Sequence, residues 1–325
     1  MKTISVVSPC YMEEANVENC YRTVKAIFEE HLPEYRLEHI FVDNCSTDET
    51  VNILRELAQN DTGVKVVVNS RNFGSYRSAF NGLKFATGDA IVVLLPVDLQ
   101  DPPELIPEFV KHWENGIEVV AGSRGEREEG FFLRNARRVF YRIVNGLSAF
   151  EIPSDVGEFQ LVDRKVLDAM LRYNDHYPYI RGIIASCGFK RLIIPYVWVT
   201  RKRGISSSNL PIMIDQALNG IFSFTNVPMR LCTLVGFAIS ILCVVFSLFV
   251  MASYFFAPDL IPRGTTTIIV AVVLLSGIQL IFTGMLGEYV TSIHQQVRGG
   301  PLVIERETIN IEPAINAPQN SGPVG

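Results

Sequence analysis

The chain has 325 residues, of which 48% are hydrophobic and only 19% charged, with a net charge of −5 and a mean hydropathy of +0.22. That acidic balance excludes a nucleic-acid surface as a partner. The length fits one large or two ordinary domains, and the low charge predicts that part of the chain lies in lipid.

The first 125 or so residues alternate strand and helix patterns. Ile4 to Ser8 reads as a strand, and its apolar run is too short for a signal peptide. Val17, Cys20, Tyr21, Val24, Ile27 and Phe28 recur at helical spacing. Leu37 to Val42 is a second strand, followed by Asp43 and by Thr47 or Asp48 as the cap of a helix carrying Val51, Leu54, Leu57 and Ala58. Val64 to Val68 is a third strand, and Ser75 is placed to cap a helix from Tyr76 to Ala86. Strands at Ile91 and at Val119 to Ala121 complete a βαβ series, hence an α/β, Rossmann-like domain with a mainly parallel sheet. No G-x-G-x-x-G follows the first strand and no G-x-x-x-x-G-K-[ST] occurs, so dinucleotide and P-loop readings lose their support.

The run from Ile91 to Leu95 is continuously apolar and reads as a strand buried on both faces. It leads into Asp98-Leu99-Gln100-Asp101-Pro102-Pro103-Glu104. Ligands of open α/β sheets sit beyond the carboxyl ends of the strands. Hard oxygen ligands there, without His or Cys, suit Mg²⁺ or Mn²⁺ carrying a diphosphate. The competing reading is an acidic helix start, with Asp101 as cap and a proline in the first turn.

Arg124, Arg127, Arg134, Arg137 and Arg138 then lie close together, as a solvated face or as a phosphate-facing rim. Asp155 to Leu161 is a loop into a strand, a helix follows from Arg164 to Leu171, and Leu192 to Val199 is a further strand. The six cysteines show no C-x-x-C pairing and fit reduced thiols in a cytosolic compartment.

The organisation expected is a cytosolic domain over residues 1–208, then an amphipathic interfacial helix over 209–229, with Leu210, Ile214, Ala217, Leu218 and Ile221 on one face. Residues 230–290 follow as a two-helix transmembrane hairpin. Leu231 to Phe256 and Thr266 to Leu286 hold no charged residue, and about 20 residues suffice to span. The spans are taken as 231–256 and 266–289. Arg201, Lys202, Arg203 and Arg230 precede them and Arg298 follows, against Arg263 alone in the connector. The positive-inside rule thus places both termini and the domain on the cytoplasmic side of the inner membrane. Gly277, Gly284 and Gly287 permit close helix approach and so a homo-oligomer. Residues 291–325 form a cytosolic tail in which Leu302-Val303-Ile304 adds a strand and the end is disordered.

Taken with Ser70-Arg71-Asn72-Phe73-Gly74, Gly220-Ile221-Phe222-Ser223-Phe224 and Gly287-Glu288-Tyr289, these segments resemble membrane-anchored polyprenyl-phosphate glycosyltransferases of the family-two inverting class. The resemblance spans most of the chain. It implies metal-dependent transfer of a sugar from a nucleotide sugar, commonly a UDP-sugar, to a polyprenyl phosphate such as undecaprenyl phosphate. By position it implies that Pro9, Tyr11, Glu13 and Asp43, with Arg71 of the Ser70–Gly74 motif, hold the nucleotide. Asp98 and Gln100 would bind the metal, Arg124 and Arg138 would face the acceptor phosphate, and Glu158 takes the place of a proposed base.

Four positions depart from the family pattern: Met12 stands for Asn, Pro96 for the first Asp of the Asp-x-Asp motif, Glu158 for Asp, and Ser207 for Lys. They keep a second expectation open, a catalytically impaired relative that binds nucleotide sugar or lipid and regulates a glycan pathway. A processive synthase would carry Q-x-x-R-W and more spans, neither of which is present. A purely structural membrane protein would not need the Asp98–Asp101 constellation beside an Arg-rich segment.

Overall fold

The structure is a computed structural model that describes residues 1–124, 156–173, 175, 178–196, 235–239, 241–242, 245 and 265–311. The chain divides into two compact units. One comprises Met1–Glu129, Ile152–Ser207 and Pro301–Gly325, and the other Gly130–Glu151 and Ser208–Gly300.

The first unit is an α/β domain on an eight-stranded sheet. Its strands in chain order are β1 (Lys2–Cys10), β2 (Tyr35–Asp43), β3 (Val64–Asn69), β4 (Ala90–Val92), β5 (Val119–Arg124), β6 (Val156–Asp163), β7 (Arg191–Tyr196) and β8 (Glu305–Ile309). They lie in the order β7-β5-β6-β4-β1-β2-β3-β8. The pairs β1–β2, β1–β4, β2–β3 and β5–β7 are parallel. β6 enters antiparallel between β4 and β5, and β8 pairs antiparallel with β3, so the sheet is mixed but mostly parallel.

Apolar, β-branched strands make this sheet: Ile4 to Val7 and Ile40 to Val42 are wholly buried, as expected for strands covered on both faces. Helix α1 (Val17–His31) packs Val17, Cys20, Val24, Ile27 and Phe28 inward. Phe41, Phe109 and Phe159 are fully buried, each contributing about 1.5–3 kcal/mol by leaving water. The described cysteines Cys10, Cys20, Cys45 and Cys187 are free thiols.

Several boundaries differ from the sequence expectation. Helix α2 (Thr50–Asn60) has Glu49 at its cap position without a side-chain capping bond; Asp48 Oδ1 instead accepts from the Thr50 amide at 3.1 Å. Helix α3 (Ser75–Leu83) begins at Ser75 itself and stops three residues early, because the amides of Lys84, Phe85 and Ala86 bond three residues back and tighten the last turn. Asp101 does not hold the cap position of either helical turn that follows, which falls to Pro102 and then Leu105. A 3₁₀ turn (Pro103–Leu105) intervenes before α4 (Ile106–Glu114). Helices α5 (Arg164–Met170) and α6 (Ile180–Ser186) follow β6. The tail strand is Glu305–Ile309, not Leu302–Ile304, although the Ile304 carbonyl already accepts from the Ser70 amide.

In the second unit, α7 (Thr265–Val297) runs for 33 residues, about 50 Å of helix. Among the described residues, no helix is long and apolar enough to cross a membrane. The described parts of 235–245 are helical. The interfacial helix at 209–229, most of the first span, the connector and the end of the tail lie outside the described residues.

Candidate active site

β1, β2, β3 and β4 run parallel, so their carboxyl ends share one edge, the edge where open α/β sheets bind ligands. The loops leaving β1 and β2 are stitched together there. The Met12 amide donates to Ser46 Oγ at 2.9 Å, the Glu13 amide to Thr50 Oγ1 at 3.0 Å, and the Glu49 amide to Glu14 Oε2 at 3.1 Å. The Thr47 amide and hydroxyl both reach Met12 Sδ at 3.4 Å, so Met12 serves as a loop staple. Met12, Cys45 and Leu99 adopt left-handed backbone angles, with φ of 56°, 68° and 53°. Non-glycine residues held this way cost energy and concentrate at functional sites.

A cleft of about 300 Å³ opens at this edge, and Pro9, Tyr11, Glu13, Asp98 and Glu158 line it together with Tyr76 and Asp101. A larger cavity, about 360 Å³, lies near the amino ends of β2 and β3, away from these residues. In its lining Lys25 Nζ donates to Asp61 Oδ2 and to the Tyr21 oxygen, both at 2.8 Å.

Asp98 is half-buried, and its Oδ1 accepts from the Gln100 amide at 3.3 Å. Gln100 does not line the cleft. Asp101 is 1% exposed, and the hydroxyl of Tyr196 donates to its Oδ1. Among the described residues, no three His, Cys, Asp or Glu side chains cluster as a ready metal cage. Mg²⁺ does not require one, since it keeps waters and is held by one or two carboxylates plus substrate phosphates. One cleft-lining carboxylate, Asp98, with Asp101 beside it, fits that donor set.

Asp43 is buried at the end of β2, just outside the cleft lining. Its Oδ2 accepts from the Ser46 amide at 2.9 Å, while Oδ1 is buried without a hydrogen-bond partner among the described residues. Burial pushes its pKa up, against the lowering effect of Ser46.

The Ser70–Gly74 motif braces the residues of the next wall, Asn44 and the start of α3. Asn44 Nδ2 donates to Asn72 Oδ1 at 2.9 Å, and Asn72 Oδ1 also accepts from the Gly74 amide at 2.9 Å. Gly74 has φ 89°, an angle that favours glycine, and α3 starts directly after it. That helix delivers Ser75, Tyr76 and Ser78 to the cleft. Arg71 is exposed instead, its guanidinium 3.9 Å over the Phe73 ring and its Nη1 3.2 Å from the Asn72 carbonyl.

Glu158, on β6, is ion-paired with Arg181 of α6, with Oε1 and Nε 3.7 Å apart, and Tyr76 lines the cleft beside it. Burial, and then the charge of Glu158, raise the Tyr76 hydroxyl well above its usual pKa, so it stays a proton donor. Sequence reasoning singled out neither Tyr76 nor Arg181, nor Tyr196 behind Asp101. Of the basic rim, Arg124 pairs through its backbone with Tyr196 at the end of β5. Arg138 and Ser207 lie outside the described residues.

The family described as "Glycosyl transferase family 2" matches residues 5–171. A glycosyltransferase of Bacillus subtilis, YkcC, is 36% identical over 95% of this chain and 94% of its own. The SfII prophage-derived bactoprenol glucosyl transferase of Shigella flexneri is 32% identical over 94% of this chain and 98% of its own. Among solved structures, the mannosyltransferase PcManGT from Pyrobaculum calidifontis, in complex with GDP-Man and Mn²⁺, covers 90% of this chain and 86% of its own. Its identity is 16% and its TM-score 0.43, a likeness too distant to bear on this chain's ligands.

Proposed function

The chain belongs to glycosyl transferase family 2, and from that premise we propose that it transfers a sugar from a nucleotide sugar, a UDP-sugar by preference, to the polyprenyl phosphate bactoprenol. The observation that carries this reading is the convergence of Pro9, Tyr11, Glu13, Asp98 and Glu158 in one cleft at the carboxyl edge of the sheet. The relatives that share nearly the whole chain supply the acceptor.

In this reading the nucleoside lies along Pro9, Tyr11 and Glu13. The unspent acceptor on Asp43 Oδ1 suits a nucleobase N–H at the inner end. Asp98, with Gln100 next to it, would hold Mg²⁺ or Mn²⁺ on the diphosphate, where the cation offsets charge that grows on the leaving group. The acceptor is a phosphate monoester with a second pKa of about 6, so it is a ready nucleophile near neutral pH. Its oxygen attacks the anomeric carbon, the bond to the diphosphate breaks with its electron pair leaving on the nucleotide, and configuration at that carbon inverts. Little proton abstraction is needed, so Glu158 orients the acceptor or balances charge more than it acts as a base. Arg124 and Arg138 would face the acceptor phosphate, since Arg matches phosphate oxygens bidentately. Arg71, exposed on Phe73, would reach the nucleotide only by leaving that ring.

The membrane organisation belongs to the same proposal: residues 1–208 as a cytoplasmic catalytic domain, 209–229 as an interfacial helix, 231–256 and 266–289 as two spans, and 291–325 as a cytoplasmic tail. Two uncharged runs of spanning length in the sequence support it, as does an acceptor that itself resides in a bilayer.

The test is to incubate the membrane-embedded full chain with undecaprenyl phosphate, Mg²⁺ or Mn²⁺, and a panel of nucleotide sugars. Glycolipid from one donor is the expected result. Nucleotide binding without glycolipid from any donor would replace this reading with the catalytically impaired, regulatory one.

A further inference from the structure

Glu158 is flanked by two side chains from elements remote in sequence. Tyr76 comes from α3 and lines the same cleft, close enough for the charges of Glu158 and Arg181 to act on its hydroxyl. Arg181 comes from α6, with Nε 3.7 Å from Glu158 Oε1, close enough to pair charges but too long for a hydrogen bond. The guanidinium is itself anchored. Its Nη1 lies 3.3 Å from the carbonyl of Val156, two residues before Glu158 on the same strand, and its carbon sits 4.8 Å over the Tyr179 ring. Glu158 Oε1 is buried and accepts no hydrogen bond among the described residues, while the residue lines the cleft with Asp98, Asp101 and Glu13. A cleft with four carboxylates that must admit a diphosphate and a second phosphate needs fixed positive charge beside one of its acids. Arg181 supplies it: its side chain is 27% exposed, and that of Glu158 16%.

We propose that Arg181 and Tyr76 are positioning residues for Glu158: the guanidinium and the phenol fix the orientation of its carboxylate and offset its charge as the anionic acceptor enters. Arg181 works through Glu158 and does not itself line the cleft, whereas Tyr76 reaches both Glu158 and the cleft wall. This rests on the glycosyl-transfer reading above and adds to it a link between α6 and the reacting centre.

The experiment is a double-mutant cycle on the full chain in membranes, following glycolipid formation from the preferred donor. Arg181→Met is expected to lower kcat about 10- to 100-fold, as outer partners of functional groups commonly do when removed. The nucleotide-sugar KM should stay within about three-fold, because the nucleoside contacts are elsewhere, and Arg181→Lys should recover part of the loss. In a Glu158→Gln background, Arg181→Met should add almost nothing. Wild-type kcat in Arg181→Met overturns the proposal, and so does an equal loss on the Glu158→Gln background, which would make Arg181 merely structural. If Arg181→Met does not fold, Tyr76→Phe, which removes one oxygen atom, carries the same cycle with the same outcomes. A wild-type chain that forms no glycolipid from any donor ends the transfer reading and this proposal together, whereas an active wild type with an indifferent Arg181 ends this proposal alone.

Discussion

Tyr196 on β7 donates its hydroxyl to Oδ1 of Asp101, three residues beyond Asp98, and so ties a strand at one end of the sheet to the acidic loop after β4. The ring reaches there because Gly122 on β5 leaves room: a Cβ at that position would lie 2.8 Å from Tyr196 Cε1. Phe159 receives the same ring edge-on, with centroids 6.1 Å apart.

Tyr196→Phe removes a donor from a carboxylate that is almost wholly buried. The folded state should lose about 1–3 kcal/mol, the range for a buried polar group deprived of a partner, and activity should fall with it as the Asp98 loop loosens. Thermal unfolding of the full chain reads the first effect; an unchanged melting temperature would show that the tie carries no stability.

Asp98→Ala should cut glycolipid formation by at least about 100-fold, the scale on which preorganised charge at a leaving group acts. Titrating Mg²⁺ or Mn²⁺ should not restore the rate. Full activity in this variant would remove Asp98 from the metal role.

Asp43→Ala should weaken nucleotide binding by about ten-fold or more, measured by calorimetry without acceptor, since one hydrogen bond involving a charged group is worth about 1.5–3 kcal/mol. Unaltered affinity would mean that the unpaired Oδ1 meets no nucleobase.

His39 provides a pH prediction. It is completely buried, with Nε2 2.9 Å from Ser8 Oγ and its ring 4.1 Å from Phe41, and burial drives its pKa down from 6.5 to about 3. The folded protein therefore keeps it neutral where the unfolded chain binds a proton. The stabilisation is intact above about pH 6.5 and is lost as pH falls toward 3, on the order of 1 kcal/mol per pH unit inside that window. Unfolding midpoints at about pH 7 and 5 should diverge more in the wild type than in His39→Gln. Parallel pH dependence in the two would assign the acid sensitivity to other groups.

What was readable in the sequence follows from where each signal is stored. β1 to β4 were legible because both faces are covered, so each carries consecutive buried apolar residues such as Val6-Val7, Ile40-Phe41-Val42, Val66-Val67-Val68 and Ala90-Ile91-Val92. Asp98 could be anticipated from the residues, as an acid following a buried strand, whereas Pro9, Tyr11, Glu13 and Glu158 were marked only by the family resemblance; the cleft lining brings all five together. Tyr76, Arg181 and Tyr196 were not legible. Each acts on a carboxylate far away in the chain, and a lone Tyr or Arg near a strand or helix end has no spacing that names its partner. Asp101 followed by two prolines imitates a helix cap, but its carboxyl is taken by Tyr196 and the chain enters a 3₁₀ turn first. β8 was misplaced by three residues because an edge strand is held by its backbone and by charged partners rather than by apolar side chains. Glu305 accepts from Asn81 Nδ2 at 2.7 Å, and Glu307 takes Arg55 at 2.6 Å.

The return of β8 to β3 makes residues 208–300 a segment enclosed at both ends by the same sheet domain. Cutting the gene before residue 301 to obtain a handier catalytic fragment would strip the cover from β3 and leave its amides and carbonyls facing water. A bare ribbon of Val66, Val67 and Val68 invites another chain to lie beside it. Clumping of such shortened products would therefore report a missing fringe strand and say nothing against the fold of the remainder.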